Sequence, residues 1–257
     1  MSKQSKTEQA RAQAYAAKQA AYAAKSTRRK QDNKVAVIAS VIVLALAFAS
    51  QLVYSNFGPG HLAAASASPS AAPSAPAKTV AANRTWTGDI HFNVGSVKVS
   101  LDGKKAPQAV ANFITLAKKG FFNNTKCHRL TNGGFYVLQC GDPAGNGSGG
   151  PGYSFGPIEN APADGVYARG VLAMARHSAS QDPNAANSMG SQFFVVYQKT
   201  SIPADAAGGY TVFGKIDSGL ENLKPTINGG IQPDASGKPL TDGAPKVPAV
   251  ITSINLK

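Results

Sequence analysis

The chain has 257 residues and a formal net charge of +13, with 43% hydrophobic and 15% charged residues, enough for one or two domains with an ordinary core. The charge is uneven: residues 1–34 hold nine Lys/Arg against two acids, whereas residues 84–257 hold sixteen against eleven. The candidate globular part has no basic stripe interleaved with aromatics, so nucleic acid is excluded as the expected partner.

Residues 1–27 are rich in Ala, Gln and Lys, good helix formers, but Tyr15 and Tyr22 are their only large hydrophobes. Segment 1–34 therefore reads as a solvated basic tail. Val35–Tyr54 carries no charge, and as a helix it spans about 30 Å, the hydrocarbon thickness of a bilayer. A cleavable signal has a shorter apolar region, usually ~7–15 residues, so an uncleaved single-pass anchor is expected. Arg28, Arg29, Lys30 and Lys34 precede the span, and no Lys or Arg follows it until Lys78. The positive-inside rule then leaves the N-terminus cytoplasmic and the rest of the chain extracytoplasmic, in the cell membrane. Residues 55–83, rich in Ala, Ser and Pro, offer almost no large apolar side chain to offset ordering and read as a tether.

The folded domain is expected over residues 84–257. Val97–Leu101 alternates at period two, with Asp89–Val94 as its hairpin partner across Gly95-Ser96. Ala106–Lys119 is the clearest helix: Pro107 suits a first turn, Val110, Phe113, Ile114 and Ala117 share a face, and Gly120 closes it. Cys127–Thr131 and Phe135–Cys140 flank the turn chemistry of Asn132-Gly133-Gly134, making a hairpin with Arg129 on one strand and Gln139 on the other. Gly141–Gly156 is too glycine-rich for a regular element and lacks the Gly-Lys-Ser/Thr of a phosphate loop. Strands are expected at Gly170–Ala175, Ser191–Tyr197, Tyr210–Ile216 and Pro248–Leu256, with a short helix at Leu220–Thr226. Short strands with few helices indicate a mainly antiparallel sheet closed into a barrel or sandwich.

The residues offer little conventional catalytic machinery. His61, His91, His128 and His177 are scattered, and no Cys has a spaced partner ligand, so no metal site is expected. A Gly-x-Ser-x-Gly elbow is absent, and no two carboxylates sit together in the pattern. What remains is Arg129 with Gln139, Gln192 and neighbouring aromatics.

Cys127-His128-Arg129-Leu130, Val137-Leu138-Gln139-Cys140-Gly141-Asp142, Gly147-Ser148-Gly149-Gly150, Met174-Ala175 and Gly190-Ser191-Gln192-Phe193-Phe194 resemble, in order, the signatures of the cyclophilins, which are peptidyl-prolyl cis–trans isomerases. Asn112-Phe113, Val212-Phe213-Gly214-Lys215 and Val250-Ile251-Thr252 extend the resemblance over about residues 86–257. It implies a mainly β fold: a closed eight-stranded antiparallel barrel capped by two α-helices, here preceded by the transmembrane helix and linker. Arg129 would be the catalytic guanidinium. Tyr136, Val137 and Phe194 would line the proline pocket, and His128, Gln139, Ala175, Gln192 and Tyr210 would complete the groove. Proline-containing polypeptides would be the partners, and no cofactor is implied.

The sequence departs from the family at several places. The turn Thr131–Gly134 looks two residues longer, so either Phe135 or Tyr136 fills the aromatic position; counting back from Gln139 favours Tyr136. Ser201-Ile202-Pro203 stands where many members carry a Trp that contributes to cyclosporin binding, which argues against tight binding of that inhibitor. Tyr210 replaces a common His and Arg176 a common Asn, changes expected to retune the rim. Cys127 and Cys140 are equidistant from Gly133-Gly134, yet a disulfide between them conflicts with Arg129 and Gln139 sharing a face unless the strand is irregular. The register with Arg129 opposite Gln139 is preferred, and the disulfide stays open. A tethered module that grips proline-containing segments as a holdase, with little turnover, is the alternative to an isomerase.

Overall fold

The computed structural model describes residues 73–257 and, before them, Ser50 alone. The expected tail, membrane span and most of the linker therefore lie outside the described residues. Among those described, no helix is long and apolar enough to cross a membrane.

The strands and helices run β1 (Thr85–Phe92), β2 (Gly95–Asp102), α1 (Pro107–Lys118), β3 (Thr125–Lys126), β4 (Arg129–Thr131), β5 (Val137–Cys140), β6 (Val166–Tyr167) and β7 (Val171–Met174). There follow β8 (Phe193–Val196), β9 (Thr200–Ser201), β10 (Val212–Ser218), α2 (Lys224–Gly229), β11 (Asp242–Gly243) and β12 (Val250–Leu256). The first hairpin turns at Asn93-Val94, with Phe92 opposite Gly95, two residues earlier than the expected Gly95-Ser96. Gly95, at φ 129°, is the first residue of the returning strand.

The sheet corrects the expectation of a closed eight-stranded barrel. Ten strands pair antiparallel in the order β11-β4-β5-β8-β7-β10-β2-β1-β12-β3, and β6 with β9 form a separate ribbon. No ladder joins β3 to β11, so the sheet is curled but open. The cause is local. The stretch Thr125–Thr131 serves both ends of the sheet: Lys126 pairs with Val250, whereas Arg129 pairs with Gln139. Between them Cys127 donates its N–H to Ala249 and His128 donates to Gln139. The chain itself crosses the seam where a continuous ladder was expected.

Two apolar clusters lie on the two faces of the sheet. Leu138, Cys140, Leu172, Met174, Phe193 and Val195 belong to the main core, while Val137, Ala173, Phe194 and Val196 belong to a second, smaller cluster. Successive side chains of a strand point to opposite faces, so β7 and β8 are buried on both sides and read as unbroken apolar runs, while β5 is interrupted only by the half-buried Gln139. Phe113 of α1 sits in the main core against Phe122, Phe193 and Phe213, at centroid separations of 5.0, 5.3 and 5.1 Å.

Helix α1 is buried on more sides than its apolar stripe requires, with nine of twelve residues inaccessible. The covering piece is a short 3-10 turn, Lys78–Ala81, together with the residues just before it. Gln108 donates to the Pro76 carbonyl at 2.8 Å, and the Trp86 indole donates to the Ala81 carbonyl at 2.8 Å. The folded unit therefore begins before the expected boundary at Arg84. Only Val80 is a large apolar residue in this stretch, and it is exposed; backbone carbonyls hold the segment, and they leave no mark in composition. The Glu159 carboxylate accepts the N–H groups of Gln108 and Ala109, closing the otherwise unpaired start of α1.

Candidate active site

The strand arrangement brings Arg129, Gln139 and Phe194 into one row on the outer wall: Arg129 lies opposite Gln139, and Gln139 opposite Phe194. Arg129 is fixed on two sides. Its Nε and Nη2 donate to Asp242 Oδ1 and Oδ2 at 2.7 and 2.6 Å, and Nη1 donates to Gln139 Oε1 at 3.1 Å. Gln139 Nε2 then donates to Gln192 Oε1 at 2.8 Å, and Gln192 Nε2 donates to the carbonyls of Gly147 and Gly149 at 2.8 and 2.9 Å. A guanidinium only donates and a carbonyl only accepts, so the two ends of this relay dictate the orientation of both amides. The pair to Asp242 raises the Arg129 pKa against the opposing effect of burial.

The glycine-rich loop takes its shape from Asp142. This buried carboxylate accepts backbone N–H groups of Ala144, Asn146 and Gly147. Burial pushes its pKa up, but the three donors outweigh that and hold it below the usual carboxylate range. The loop is therefore a fixed source of carbonyls for Gln192. A depression of about 460 Å³ lies beyond the Gln139–Gln192 pair, bordered by this loop and Ala175.

The apolar pocket is the second cluster. Val137, Ala173, Phe194, Val196 and Tyr167 form its floor, with Phe135, Ala175 and Tyr210 packed against it. The Phe194 and Tyr210 rings meet edge to face at 5.5 Å. Here one sequence expectation is corrected. Phe135 packs against this cluster and lies under the Arg129 guanidinium at 5.6 Å, whereas Tyr136 meets Tyr197 edge to face at 5.9 Å. Alternation is the reason: Phe135 and Val137, two residues apart, share the second cluster, whereas Tyr136 between them lies opposite Tyr197 and accepts its N–H. Thr131 Oγ1 closes the turn by donating to the Phe135 carbonyl and accepting the Val137 N–H. Gly133 permits the tight path, since a Cβ there would lie 2.6 Å from Thr241 Cβ.

Val137, Gln139, Ala175, Gln192, Phe194 and Tyr210 thus gather around Arg129. His128 does not join them in the pocket. It lies at the seam beside Gly147, neither ring nitrogen has a hydrogen-bond partner among the described residues, and burial lowers its pKa. Arg176 is also taken out of the rim. Its five N–H groups meet Asp205 Oδ1 and Oδ2 and the carbonyls of His177, Gly208 and Gly209. Its side chain is 1% exposed and lies under the Tyr210 ring, so it builds the rim from behind.

Cys127 and Cys140 form a disulfide. Both face the main core, while Arg129 and Gln139 face the groove. The two conditions that conflict in a regular ladder are met together because the ladder breaks at Cys127-His128.

Two groups went unseen in the sequence. Asp242 lies 113 positions from Arg129, in a stretch without strand periodicity. Tyr167 is fully buried under the pocket, donates to the Tyr210 carbonyl at 3.5 Å and accepts its N–H at 2.8 Å. Its β6 strand has only two residues, too few for alternation to reveal. Among the described residues, no three His, Cys, Asp or Glu side chains gather as a metal site.

The outer wall of the open sheet thus carries an arginine, two glutamines and an apolar pocket. Residues 87–255 match the family described as cyclophilin type peptidyl-prolyl cis-trans isomerase, and the chain belongs to that family. The "Probable peptidyl-prolyl cis-trans isomerase B" of Mycobacterium leprae is 40% identical over 184 residues, 67% of this chain and 57% of that protein. The peptidyl-prolyl cis-trans isomerase of Helicobacter pylori is 41% identical over 135 residues, 52% of this chain and 75% of that protein. The chain thus spans just over half the length of the mycobacterial relatives it matches. The crystal structure of a Cryptosporidium parvum cyclophilin type isomerase superposes with a TM-score of 0.52 at 32% identity, covering 68% of this chain and 98% of that one. A second structure of the same protein, in the presence of the dipeptide Ala-Pro, gives a TM-score of 0.50 at 34% identity over 66% of this chain and 98% of that one.

Proposed function

We propose that the chain is a membrane-anchored peptidyl-prolyl cis–trans isomerase that accelerates Xaa-Pro rotation in exported or cell-surface polypeptides. The observation that carries this reading is Arg129, held by Asp242 and Gln139 beside the Phe135–Phe194 pocket, with two of its five N–H groups uncommitted among the described residues. The Ala-Pro dipeptide present with the Cryptosporidium structure supports a proline-containing ligand for this groove.

The reaction needs no proton transfer. Rotation about an Xaa-Pro bond must break amide resonance, a barrier of about 18–20 kcal/mol. In the twisted state the prolyl nitrogen regains its lone pair and becomes a hydrogen-bond acceptor. The apolar pocket of Phe135, Val137 and Phe194 holds the proline ring in both states, whereas the free N–H groups of Arg129 meet a good acceptor only in the twisted one. A donor already in place costs no reorganisation, so it lowers the barrier by binding the transition state better than the ground state. About 1.4 kcal/mol of such preference gives tenfold in rate. Gln139, kept in one orientation by Gln192, steadies the guanidinium and presents its polar edge to the peptide backbone. Tyr210 closes the rim, and His128 contributes at the seam beside Gly147.

The test is a protease-coupled or fluorescence assay of an Xaa-Pro peptide. Arg129→Ala is expected to lower kcat/KM by about 10²–10³, the usual cost of removing a preorganised donor. Arg129→Lys should recover little, because an ammonium cannot keep the two-pronged pair to Asp242. No acceleration by the wild-type chain, or full activity in Arg129→Ala, would favour the alternative of a tethered peptide-gripping holdase. That alternative draws on Tyr210 and Arg176, and the Arg176 guanidinium is committed to Asp205 and backbone carbonyls.

Anchoring in the cell membrane rests on the uncharged Val35–Tyr54 stretch and the basic residues before it. The same asymmetry supports an extracytoplasmic position for the isomerase unit.

A further inference from the structure

We propose that Asp242 is the positioning residue of the site, setting the plane of the Arg129 guanidinium so that its free N–H groups meet the twisted prolyl amide. The inference rests on the reading of Arg129 as the catalytic donor. It adds a residue that lies outside every sequence motif carrying that reading.

The register explains how a residue so distant in sequence reaches the guanidinium. Strand β11 lies along the free edge of β4, with Asp242 opposite Thr131 and Gly243 opposite Leu130, and Asn132 donates its N–H to the Thr241 carbonyl at 2.9 Å. Arg129 and Thr131 are two residues apart on β4, so they project from the same face, and Asp242 is the diagonal cross-strand neighbour of Arg129. Diagonal neighbours are within reach of a long side chain. The two-residue strand thus does one specific thing: it carries a carboxylate to the groove face beside the arginine.

The manner of pairing matters as much as the contact. Asp242 takes the side of the guanidinium, Nε with Nη2, and Gln139 takes one N–H of Nη1. The two N–H groups left over are one on each terminal nitrogen. Two parallel bonds to a carboxylate define the guanidinium plane, and the Gln139 bond then selects which way that plane is presented. Asp242 does not compete with substrate for the remaining donors. Nor is stability a sufficient reason for the pair. The side chains are 37% and 48% exposed, and ion pairs in that setting contribute little to folding. Their value lies in orientation, where a misplacement of about 1 Å is felt strongly in the rate.

The experiment uses the full chain and a chromogenic Xaa-Pro peptide, with kcat and KM measured separately for wild type, Asp242→Ala and Asp242→Asn. Asp242→Ala is expected to lower kcat by about tenfold or more while KM stays within about twofold, since the apolar pocket is untouched. Asp242→Asn keeps one acceptor oxygen and should recover part of the lost kcat. Nitrogen-15 spectra should show a distinct, slowly exchanging Arg129 Nε–H in wild type that is lost in Asp242→Ala. Unchanged or increased kcat in Asp242→Ala, or a loss confined to KM, overturns the proposal while leaving the isomerase reading intact. Equal losses in both variants that track a fall in thermal stability also overturn it, by assigning Asp242 a structural role. A wild-type chain without activity removes the isomerase reading and this proposal with it.

Discussion

At the scale of single residues, the site separates arginines by what they have left to give. Among the described residues, Arg129 keeps two N–H groups free, whereas Arg176 spends all five on Asp205 and three carbonyls. Asp205 is held well below the usual carboxylate range, first by its pair with Arg176 and then by the N–H of Ala179, with burial opposing. A carboxylate with a depressed folded pKa contributes stability above its unfolded value, near ~4, and loses it as pH falls through the folded value. Stability should therefore decline on acidification below about pH 4, with Asp142 adding to the same trend. Asp205→Asn should flatten that decline and lower stability at neutral pH, because a buried guanidinium is left without its counter-charge. The cost should fall somewhat under the ~3–5 kcal/mol of a fully buried pair, since the Asp205 side chain is 32% exposed. Urea unfolding across a pH series measures both effects, and an unchanged slope in Asp205→Asn would remove Asp205 as the source. Arg129 was singled out in the sequence only through the family motif Cys127–Leu130, because an arginine on a strand is by itself no mark of a groove. That Arg176 would be fully consumed was not legible, because its acceptors are carbonyls scattered over residues 177–209.

At the scale of elements, the hairpin β4–β5 holds the site and the Cys127–Cys140 disulfide holds the hairpin. The bond joins residues 13 positions apart just behind Arg129 and Gln139, at the seam where no ladder closes the sheet. Closing a loop of that size removes denatured-state freedom worth about 2–3 kcal/mol. Reduction, or replacement of both cysteines by alanine, should lower unfolding stability by that amount. Urea titration with and without reductant measures it, and equal midpoints would show that the seam is secured by packing alone. The hairpin as an element was legible from turn residues between two apolar runs. Its register was not, because the parity of Cys127 and that of Arg129 cannot both be kept in a regular strand. The break at Cys127-His128 reconciles them, and it arises from pairing with β12, which lies over a hundred residues away. The pocket aromatic shifted from Tyr136 to Phe135 for another reason. Phe135 shares the cluster of Val137 two residues on, while Tyr136 keeps its place opposite Tyr197 on the other face, and counting back from Gln139 without regard to alternation picks the wrong one.

At the scale of the whole molecule, the groove is carried on strands buried on both faces, which keeps its residues from drifting. The same rigidity suits a catalyst that works by preorganised donors and not by moving parts. If Val35–Tyr54 anchors this unit, the full chain should remain in the membrane pellet after carbonate extraction, and a chain starting at residue 73 should be released. Recovery of the full chain in the soluble fraction would count against the anchor. The start at residue 73 matters, because Pro76 and Ala81 supply carbonyls to Gln108 and Trp86 and belong to the folded unit.

What the sequence alone determined are the features written in local chemistry: alternation in β2, the apolar stripe and first-turn proline of α1, the turn glycines of the hairpin, and the ordered motifs that mark the family. These depend on neighbours a few residues apart, so they survive in one dimension. The tertiary structure decided what depends on distant partners: the open seam, the disulfide beside an intact Arg129–Gln139 pair, the withdrawal of Arg176, and the arrival of Asp242 on the edge of β4. Each is set by which strand edge lies unpaired and which carbonyls converge in space, and a hydrogen bond between residues 113 positions apart has no signature in the spacing of either.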